Sequence, residues 1–367
     1  MFLLTLSTFK FTGGIEKFNQ CFLKAIQELF PTETITAWSM YDSIPDARYI
    51  NNAKFRGFDR SKANFVLAAV WEARKYNTIF IGHINLAILV VLIRFFYPKK
   101  KIILLAHGIE VWDLQKGLKA RALKKFTSIW AVSNFTKNEL CKNNDLDCRK
   151  VQVFPNTIDP FFEANIEHAI DWDLLLPYNL NYSHTIIFTL TRLKATEMYK
   201  GYDKIIAALP NLIKLYPNLK YVIAGKYDKQ EFHRIKELAS YYNVTYHVEI
   251  LGYVASEVLI NLYKAAQLFT MPSSGEGFGI VFLEAMAMGL PVIAGNADGS
   301  VDALDHGRLG RLVNPHDIQG ITTVLKEQLE AGKGSIIEQQ LLQTQVYALF
   351  GFDQFKKRLY HLIQSLS

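Results

Sequence analysis

Cysteine is scarce in this chain. There are three among 367 residues, Cys21, Cys141 and Cys148. Their irregular spacing fits neither a disulfide framework nor a zinc site, and it predicts a reduced, cytoplasmic protein. Long apolar runs are also missing. The longest, Leu86 to Tyr97, is interrupted by Arg94 and is too short to span a bilayer. The first residues, Met1-Phe2-Leu3-Leu4-Thr5-Leu6-Ser7, lack the basic start and the cleavage site of a signal peptide and read as a first buried strand. No repeat of fixed period and no low-complexity tract occurs. A dinucleotide fingerprint is excluded, because the third glycine counted from Gly275 falls on Ile280 and counted from Gly277 on Phe282. No Gly-Lys-Ser/Thr follows either, which excludes a P-loop, and no nucleic-acid recognition motif is present.

Half of the residues are hydrophobic, and the length suits two domains of ordinary size. Short, continuous apolar runs alternate with helical stretches. Strands are expected at Phe2–Leu6, Thr78–Ile81, Ile102–Ala106, Ile129–Val132 and Val151–Phe154. In the second half they are expected at Thr185–Leu190, Tyr221–Ala224, Val248–Leu251, Ala266–Met271 and Pro291–Ala294. Such runs are the signature of parallel strands buried on both faces. The alternation predicts an α/β protein with two doubly wound parallel sheets. The periodicity weakens around 160–180, where a linker is placed. Helical spacing of Phe352, Phe355, Leu359 and Leu362 predicts a closing helix.

Charge is unevenly distributed. Residues 1–150 hold 23 Lys/Arg against 12 Asp/Glu, a net of +11, whereas the remainder holds 18 against 22, a net of −4. Lys116, Lys119, Arg121, Lys124 and Lys125 lie among Leu118, Ala122, Leu123 and Phe126, as in a basic amphipathic helix. This is either a solvated helix face or a site of attraction to an anionic membrane surface or lipid-phosphate acceptor.

The most informative stretch is Ser273-Ser274-Gly275-Glu276-Gly277-Phe278-Gly279-Ile280-Val281-Phe282-Leu283-Glu284. An apolar strand leads into it, and a helix is expected from Phe278 to a stop at Gly289. A strand, a glycine turn and a helix start suit an anion such as a diphosphate. Glu284, one turn after Ile280, is placed beside that anion, with sugar hydroxyls as its partner. Glu276 in the turn can reach a second set of hydroxyls. The plain alternative is a helix start with one acidic residue near its dipole. Gly13-Gly14, His107-Gly108, Arg192, Gly225-Lys226 and Gly252 also follow expected strands, the edge where open α/β sheets bind ligands.

At this point the chain resembles glycosyltransferase family 4, also called glycosyltransferase group 1. The resemblance runs along nearly the whole length. It rests on Gly13-Gly14-Ile15-Glu16, Ala106-His107-Gly108-Ile109-Glu110, Phe154-Pro155-Asn156-Thr157-Ile158-Asp159, Thr191-Arg192-Leu193 with Lys200-Gly201, Leu251-Gly252-Tyr253-Val254, Ser273 to Glu284, and Gly289-Leu290-Pro291. It implies the GT-B architecture, two Rossmann-like domains facing across a cleft. Residues 1–165, with the closing helix 350–367, would bind the acceptor, and 166–349 would bind the nucleotide-sugar donor. It also implies retaining, metal-independent sugar transfer with no cofactor.

Residue by residue, the resemblance gives Arg192 and Lys200 the diphosphate and its developing charge. Gly14 would let the backbone approach the phosphates, and His107 would touch the sugar near its reacting carbon. Glu276 would bind donor sugar hydroxyls, with Gly277, Phe278, Gly279 and Ile280 beside it, and Glu284 the ribose. Tyr253 and Val254 would meet the base. His107, Glu276, Arg192 and Lys200 are thus the expected catalytic set, and no metal ligands are expected. Asp145-Leu146-Asp147 matches a manganese-binding pattern of another transferase fold, but without its sheet context. Thr157 and Thr191 stand where the family has glycine. The function implied is transfer of a hexose, with UDP-glucose the donor of choice and UDP-GlcNAc, UDP-galactose and GDP-mannose left open. The acceptor would be lipid-linked or a polysaccharide, in cell-envelope or exopolysaccharide synthesis, at the inner face of the plasma membrane. A nucleotide-sugar 2-epimerase, or a silent nucleotide-sugar-binding subunit, are the alternatives.

Overall fold

A computed structural model describes residues 1–32 and 35–366. The chain divides into two compact units. One holds the residues up to Pro160 with the last stretch from Phe350, the other Phe161–Leu349.

In the first unit the strands and helices follow one another as β1 (Phe2–Thr5), α1 (Gly14–Leu29), β2 (Thr36–Ser39), β3 (Phe55–Gly57), α2 (Lys62–Glu72), β4 (Thr78–Ile81), α3 (Ala87–Phe96), β5 (Lys101–Ala106), α4 (Ile109–Trp112), α5 (Gly117–Leu123), β6 (Ser128–Ala131), α6 (Asn134–Asn143) and β7 (Val151–Val153). The seven strands form one parallel sheet in the order β3-β2-β1-β4-β5-β6-β7. Its central strands are wholly buried, so both faces must be apolar, and this is why Phe2-Leu3-Leu4 and Ile102-Ile103-Leu104-Leu105 run without alternation.

The second unit contains β8 (Thr185–Leu190), α7 (Tyr202–Leu212), β9 (Leu219–Ala224), α8 (Lys229–Tyr241), β10 (Val248–Gly252), α9 (Ser256–Ala265), β11 (Leu268–Met271), α10 (Ile280–Ala287), β12 (Val292–Gly295), α11 (Ser300–Ala303), β13 (Arg311–Val313), α12 (Ile318–Ala331) and most of α13 (Ile336–Phe350). Six parallel strands stand in the order β10-β9-β8-β11-β12-β13. In each sheet β1 or β8, the first strand of its unit, lies inside, and the chain winds outward in both directions. Each unit is thus a doubly wound parallel α/β sheet, the fold class expected.

The final helix, α14 (Phe352–Gln364), packs on α1 within the first unit. Its Phe355 ring stacks on Phe154 at 4.4 Å and meets Phe18 edge-on at 5.7 Å. Position 367, the end of the expected closing helix, lies outside the described residues. Thr157, where the family has glycine, donates its hydroxyl to the Phe350 carbonyl at 2.8 Å, and the Ile158 amide donates to the same oxygen at 3.0 Å. The hydroxyl therefore helps tie the returning chain to the first unit.

Several details differ from the sequence reading. β2, β3 and β13 carry too little apolar sequence (Thr-Ala-Trp-Ser, Phe-Arg-Gly, Arg-Leu-Val) to stand out as strands. Helix α10 starts at Ile280 rather than Phe278, because Gly279 at φ 94° is left-handed and interrupts the helical backbone. Cys141 and Cys148 are joined by a disulfide, contrary to the expectation of unpaired thiols. The turn after α6 brings their Cα atoms to 5.6 Å, within bridging range. Cysteine usage therefore gives no support to a reducing compartment. The run Leu86–Tyr97 forms α3, whose Leu89, Val90 and Ile93 are core residues. Among the described residues no helix is long and apolar enough to cross a membrane.

Candidate functional site

All strands of a parallel sheet end at the same edge. In the second unit that edge collects Arg192 after β8, Lys226 after β9, Tyr253 and Val254 after β10, the glycine turn after β11 and residues 296–300 after β12.

The glycine turn is held from two sides. On one side, the buried Asp298 carboxylate accepts from the Ser273 hydroxyl and the Glu276 amide, both at 2.7 Å, and from the Ser300 amide at 2.9 Å. The Gly299 amide completes the clasp by donating to the Glu276 carbonyl at 2.8 Å. A Cβ at Gly299 would overlap the Gly277 carbonyl, so only glycine allows this approach. Burial raises the Asp298 carboxyl above its ordinary range, against the opposing pull of these three donors.

On the other side, the turn at Met198–Lys200 docks through a Ser274 amide that donates to the Tyr199 carbonyl at 2.9 Å. The Tyr199 ring lies against Gly275. This brings the buried Lys200 ammonium into an ion pair with the Glu276 carboxylate. Burial alone would lower the Lys200 pKa, but the charge of Glu276, with Tyr199 and Glu197, raises it above the usual value. The lysine is therefore a fixed cation at the lip of the turn. Arg192 is exposed and pairs with Glu197 at 3.1 Å. Burial raises the Tyr199 hydroxyl, which feels the charges of Lys200, Glu197, Glu276 and Arg192 together. One tyrosine thus marks the point where the three predicted residues Arg192, Lys200 and Glu276 converge.

Gly277 and Phe278 are buried behind this lip, and Gly279 and Ile280 form the start of α10. Glu284 sits on the same helix but is only 1% exposed, and it accepts from the Tyr263 hydroxyl at 3.1 Å. Tyr253 is exposed with the Lys226 ammonium 5.3 Å from its ring centre, and Val254 is buried next to it. Tyr227, exposed, packs beside Gly252 and meets the Phe232 ring at a tilt with centroids 4.8 Å apart, which makes the strand ends an aromatic shelf.

The remaining expected site residues, Gly14 and His107, belong to the first unit. Gly14 opens α1 and is exposed. The loop before it is fixed by buried Asp42, whose carboxylate accepts from the amides of Thr8, Phe9 and Lys10 at 2.7, 3.2 and 2.8 Å and from the Ser7 hydroxyl at 3.0 Å. His107 ends β5. Its Nε2 donates to the Gly82 carbonyl at 3.1 Å, and the Phe18 ring meets it edge-on at 5.0 Å. Burial, with His83 nearby, lowers its pKa to about 3, so the ring is neutral and Nδ1 is left as the acceptor. The His107 amide donates to Glu110 Oε1 at 2.6 Å, which holds the turn into α4.

The His107 shift has a consequence for stability. Its folded pKa lies below the ordinary value near 6.5, so the unfolded chain takes up the proton first as pH falls. Stability is expected to decline from about pH 6.5 down to about pH 3, by up to about 1.4 kcal/mol per pH unit. His107→Gln should flatten part of this slope relative to wild type in urea unfolding at pH 7, 6 and 5. Parallel pH profiles for the two chains would contradict it.

Tyr199, Glu197, Asp298 and Asp42 carry no motif signal in the sequence, whereas Ser273 opens the glycine-turn stretch. Among the described residues no group of three or more His, Cys, Asp or Glu is arranged to hold a metal ion. Asp145 pairs with Lys124 and Asp147 with Arg149, both on the surface.

Two doubly wound parallel α/β units in one chain make up the GT-B fold, and the solved structures agree. Anabaena HepE in complex with UDP superposes with a TM-score of 0.78 at 18% identity, covering 99% of each chain, a likeness of fold alone. Residues 179–339, within the second unit, match the family model described as glycosyl transferases group 1. An uncharacterized glycosyltransferase of Methanocaldococcus jannaschii is 31% identical over 191 residues, 52% of this chain and 47% of that protein. A phosphatidyl-myo-inositol mannosyltransferase of Mycolicibacterium smegmatis is 34% identical over 142 residues, 37% of this chain and 36% of that one. The chain therefore spans half or less of the length of these curated relatives.

Proposed function

We propose that the protein is a retaining, metal-independent hexosyltransferase that moves glucose from UDP-glucose to a lipid-linked or polysaccharide acceptor in cell-envelope or exopolysaccharide synthesis. The observation that carries this reading is the buried Lys200–Glu276 pair at the lip of a glycine turn that opens α10. In this reading Lys200 and Arg192 hold the diphosphate and stabilise the charge that develops as it leaves, and the backbone at Gly279 and Ile280 adds the positive end of the helix. Glu276 gives up part of its ion pair to accept hydrogen bonds from the donor sugar hydroxyls. Glu284 takes the ribose hydroxyls beside Tyr263, and the base lies on the shelf of Tyr253 and Val254. On the first unit, His107, neutral and with Nδ1 as acceptor, and the backbone at Gly14 are the groups that the resemblance to the family assigns to substrate. Retention of configuration is the stereochemistry that the resemblance to glycosyltransferase group 1 implies, and it is part of this reading. No cofactor is needed, and the cations present do the work of charge neutralisation.

UDP-glucose is supported by a fold neighbour solved with that donor, Anabaena HepE. A second donor, GDP-mannose, is favoured by the match to mannosyltransferases. The mannosyltransferase named for phosphatidyl-myo-inositol also supports a lipid acceptor, and the net charge of +11 over residues 1–150 suits work at the inner face of the plasma membrane.

The test is nucleotide diphosphate release from UDP-, GDP- and ADP-sugars with a chelator present and no acceptor. One donor is expected to be hydrolysed slowly, undiminished by chelator and lost in Glu276→Ala. Release that requires a divalent metal, or that survives Glu276→Ala, would overturn the reading. Conversion of UDP-GlcNAc to its 2-epimer would instead identify the epimerase alternative.

A further inference from the structure

We propose that Cys141 and Cys148 form a thiol–disulfide exchange site, and that a dithiol reductant acting there loosens the turn that carries His107. Only the effect on turnover rests on the reading above. The bridge joins the end of α6 to the turn before β7 and closes a loop of six intervening residues. Cys148 is exposed and Cys141 half-buried, whereas Cys21, the remaining cysteine, is buried. A reagent in solvent therefore meets the Cys148 sulfur. Its thiolate forms a mixed disulfide with Cys148, and Cys141 leaves as a thiolate that takes up a proton. The second thiol of the reductant then attacks the reductant sulfur of that mixed disulfide and releases Cys148. The bridge gains two electrons and two protons, and the dithiol that supplies them becomes a cyclic disulfide.

The bridged loop holds more than itself. Asn144, inside it, is buried. Its Oδ1 accepts from the Leu114 amide at 2.9 Å, and its Nδ2 donates to the carbonyls of Trp112 and Leu140 at 3.1 and 3.0 Å. One side chain thus ties the loop both to α6 and to the end of α4. With four residues, α4 is too short to stand without such support. It begins two residues after His107, whose amide donates to Glu110 Oε1 at 2.6 Å. Printed contacts therefore run without a gap from the bridge through Asn144 and α4 to His107. The loop's other polar contacts are local or on the surface, Asn143 with Glu139, Lys124 with Asp145 and Asp147 with Arg149. Opening the bridge returns conformational freedom to the loop, and the hold of Asn144 weakens with it. The Trp112 indole still donates to the Thr136 hydroxyl at 3.3 Å, so α4 loosens and the unit stays folded.

The experiment is amide hydrogen exchange, resolved by peptide, on the full chain before and after treatment with dithiothreitol, without nucleotide sugar. Thiol labelling in denaturant should find one cysteine before reduction and three after it. Amides of residues 108–114 are expected to exchange about tenfold or more faster in the reduced chain, with the strands of the second unit unchanged. Cys148→Ser should show the fast rate with or without dithiothreitol. Asn144→Ala should keep the bridge and lose the difference between the two states, because the link from loop to α4 is gone. Three labelled cysteines before reduction, or equal exchange at 108–114 in the two states, would overturn the proposal. In the donor-release assay, turnover should fall by about fivefold or more on reduction and return on reoxidation. Redox-dependent exchange with unchanged release would sink only the role given to His107, and no release in either state would sink only the transferase.

Discussion

Turnover of the Lys200→Ala variant is expected to fall by about 10²–10³-fold, with nucleotide diphosphate affinity weakened as well. Two effects act in the same direction. The diphosphate loses a buried cation that burial and the Glu276 charge hold in place, and it meets in its stead a Glu276 carboxylate deprived of its counter-ion. Glu276→Ala removes the opposite partner and should separate these effects. Its turnover should fall by about 10²-fold while nucleotide binding is largely kept. The double variant Lys200→Ala/Glu276→Ala should bind nucleotide better than Lys200→Ala alone, because the unpaired carboxylate is gone. Steady-state kinetics and nucleotide titration on the three chains check this. Equal turnover in wild type and Lys200→Ala would remove Lys200 from the site.

The second large effect is on stability. Asp298→Ala is expected to destabilise the chain by about 3 kcal/mol or more, because three donors lose their acceptor inside the fold. These are the Ser273 hydroxyl and the amides of Glu276 and Ser300, and the two amides have no other freedom to turn. Turnover should fall with stability, since the Glu276 backbone is released. Asp298→Asn separates charge from hydrogen bonding. Burial raises the Asp298 carboxyl, so its ionised form is the costly one above the ordinary aspartate pKa. The amide removes that cost and keeps one acceptor oxygen, so its loss of stability should be smaller than that of alanine. Urea midpoints at constant slope measure both. An alanine variant as stable as wild type would show that the carboxylate does not clasp the turn.

All ten strands expected from continuous apolar runs exist. In the central ones no solvent face breaks the run, while β7 and β10 stand at sheet edges and are only partly buried. β2, β3 and β13 were invisible because three or four residues with serine, arginine or glycine among them carry no period. The disulfide escaped notice because pairing depends on the turn after α6, which the six intervening positions of sequence do not specify. The same limit applies to the site. Lys200 and Glu276 each stood out, but their ion pair across 76 positions depends on how the turn after β8 docks on the turn after β11. Asp42 and Asp298 look like any surface aspartate in sequence. Their importance lies in accepting backbone amides that only the folded loops converge on them. Glu284 stands out through its place on the helix start, but its hydrogen bond from the Tyr263 hydroxyl depends on α9, which its own stretch of sequence does not specify.

The most direct test is calorimetric titration of UDP and of UDP-glucose into wild type, Lys200→Ala and Glu276→Ala, with chelator throughout. Both ligands should bind wild type without a metal, Lys200→Ala should weaken both by about tenfold or more, and Glu276→Ala should weaken only the sugar-bearing ligand. Metal-dependent binding, or affinities unchanged in both variants, would contradict a donor site at the Lys200–Glu276 lip.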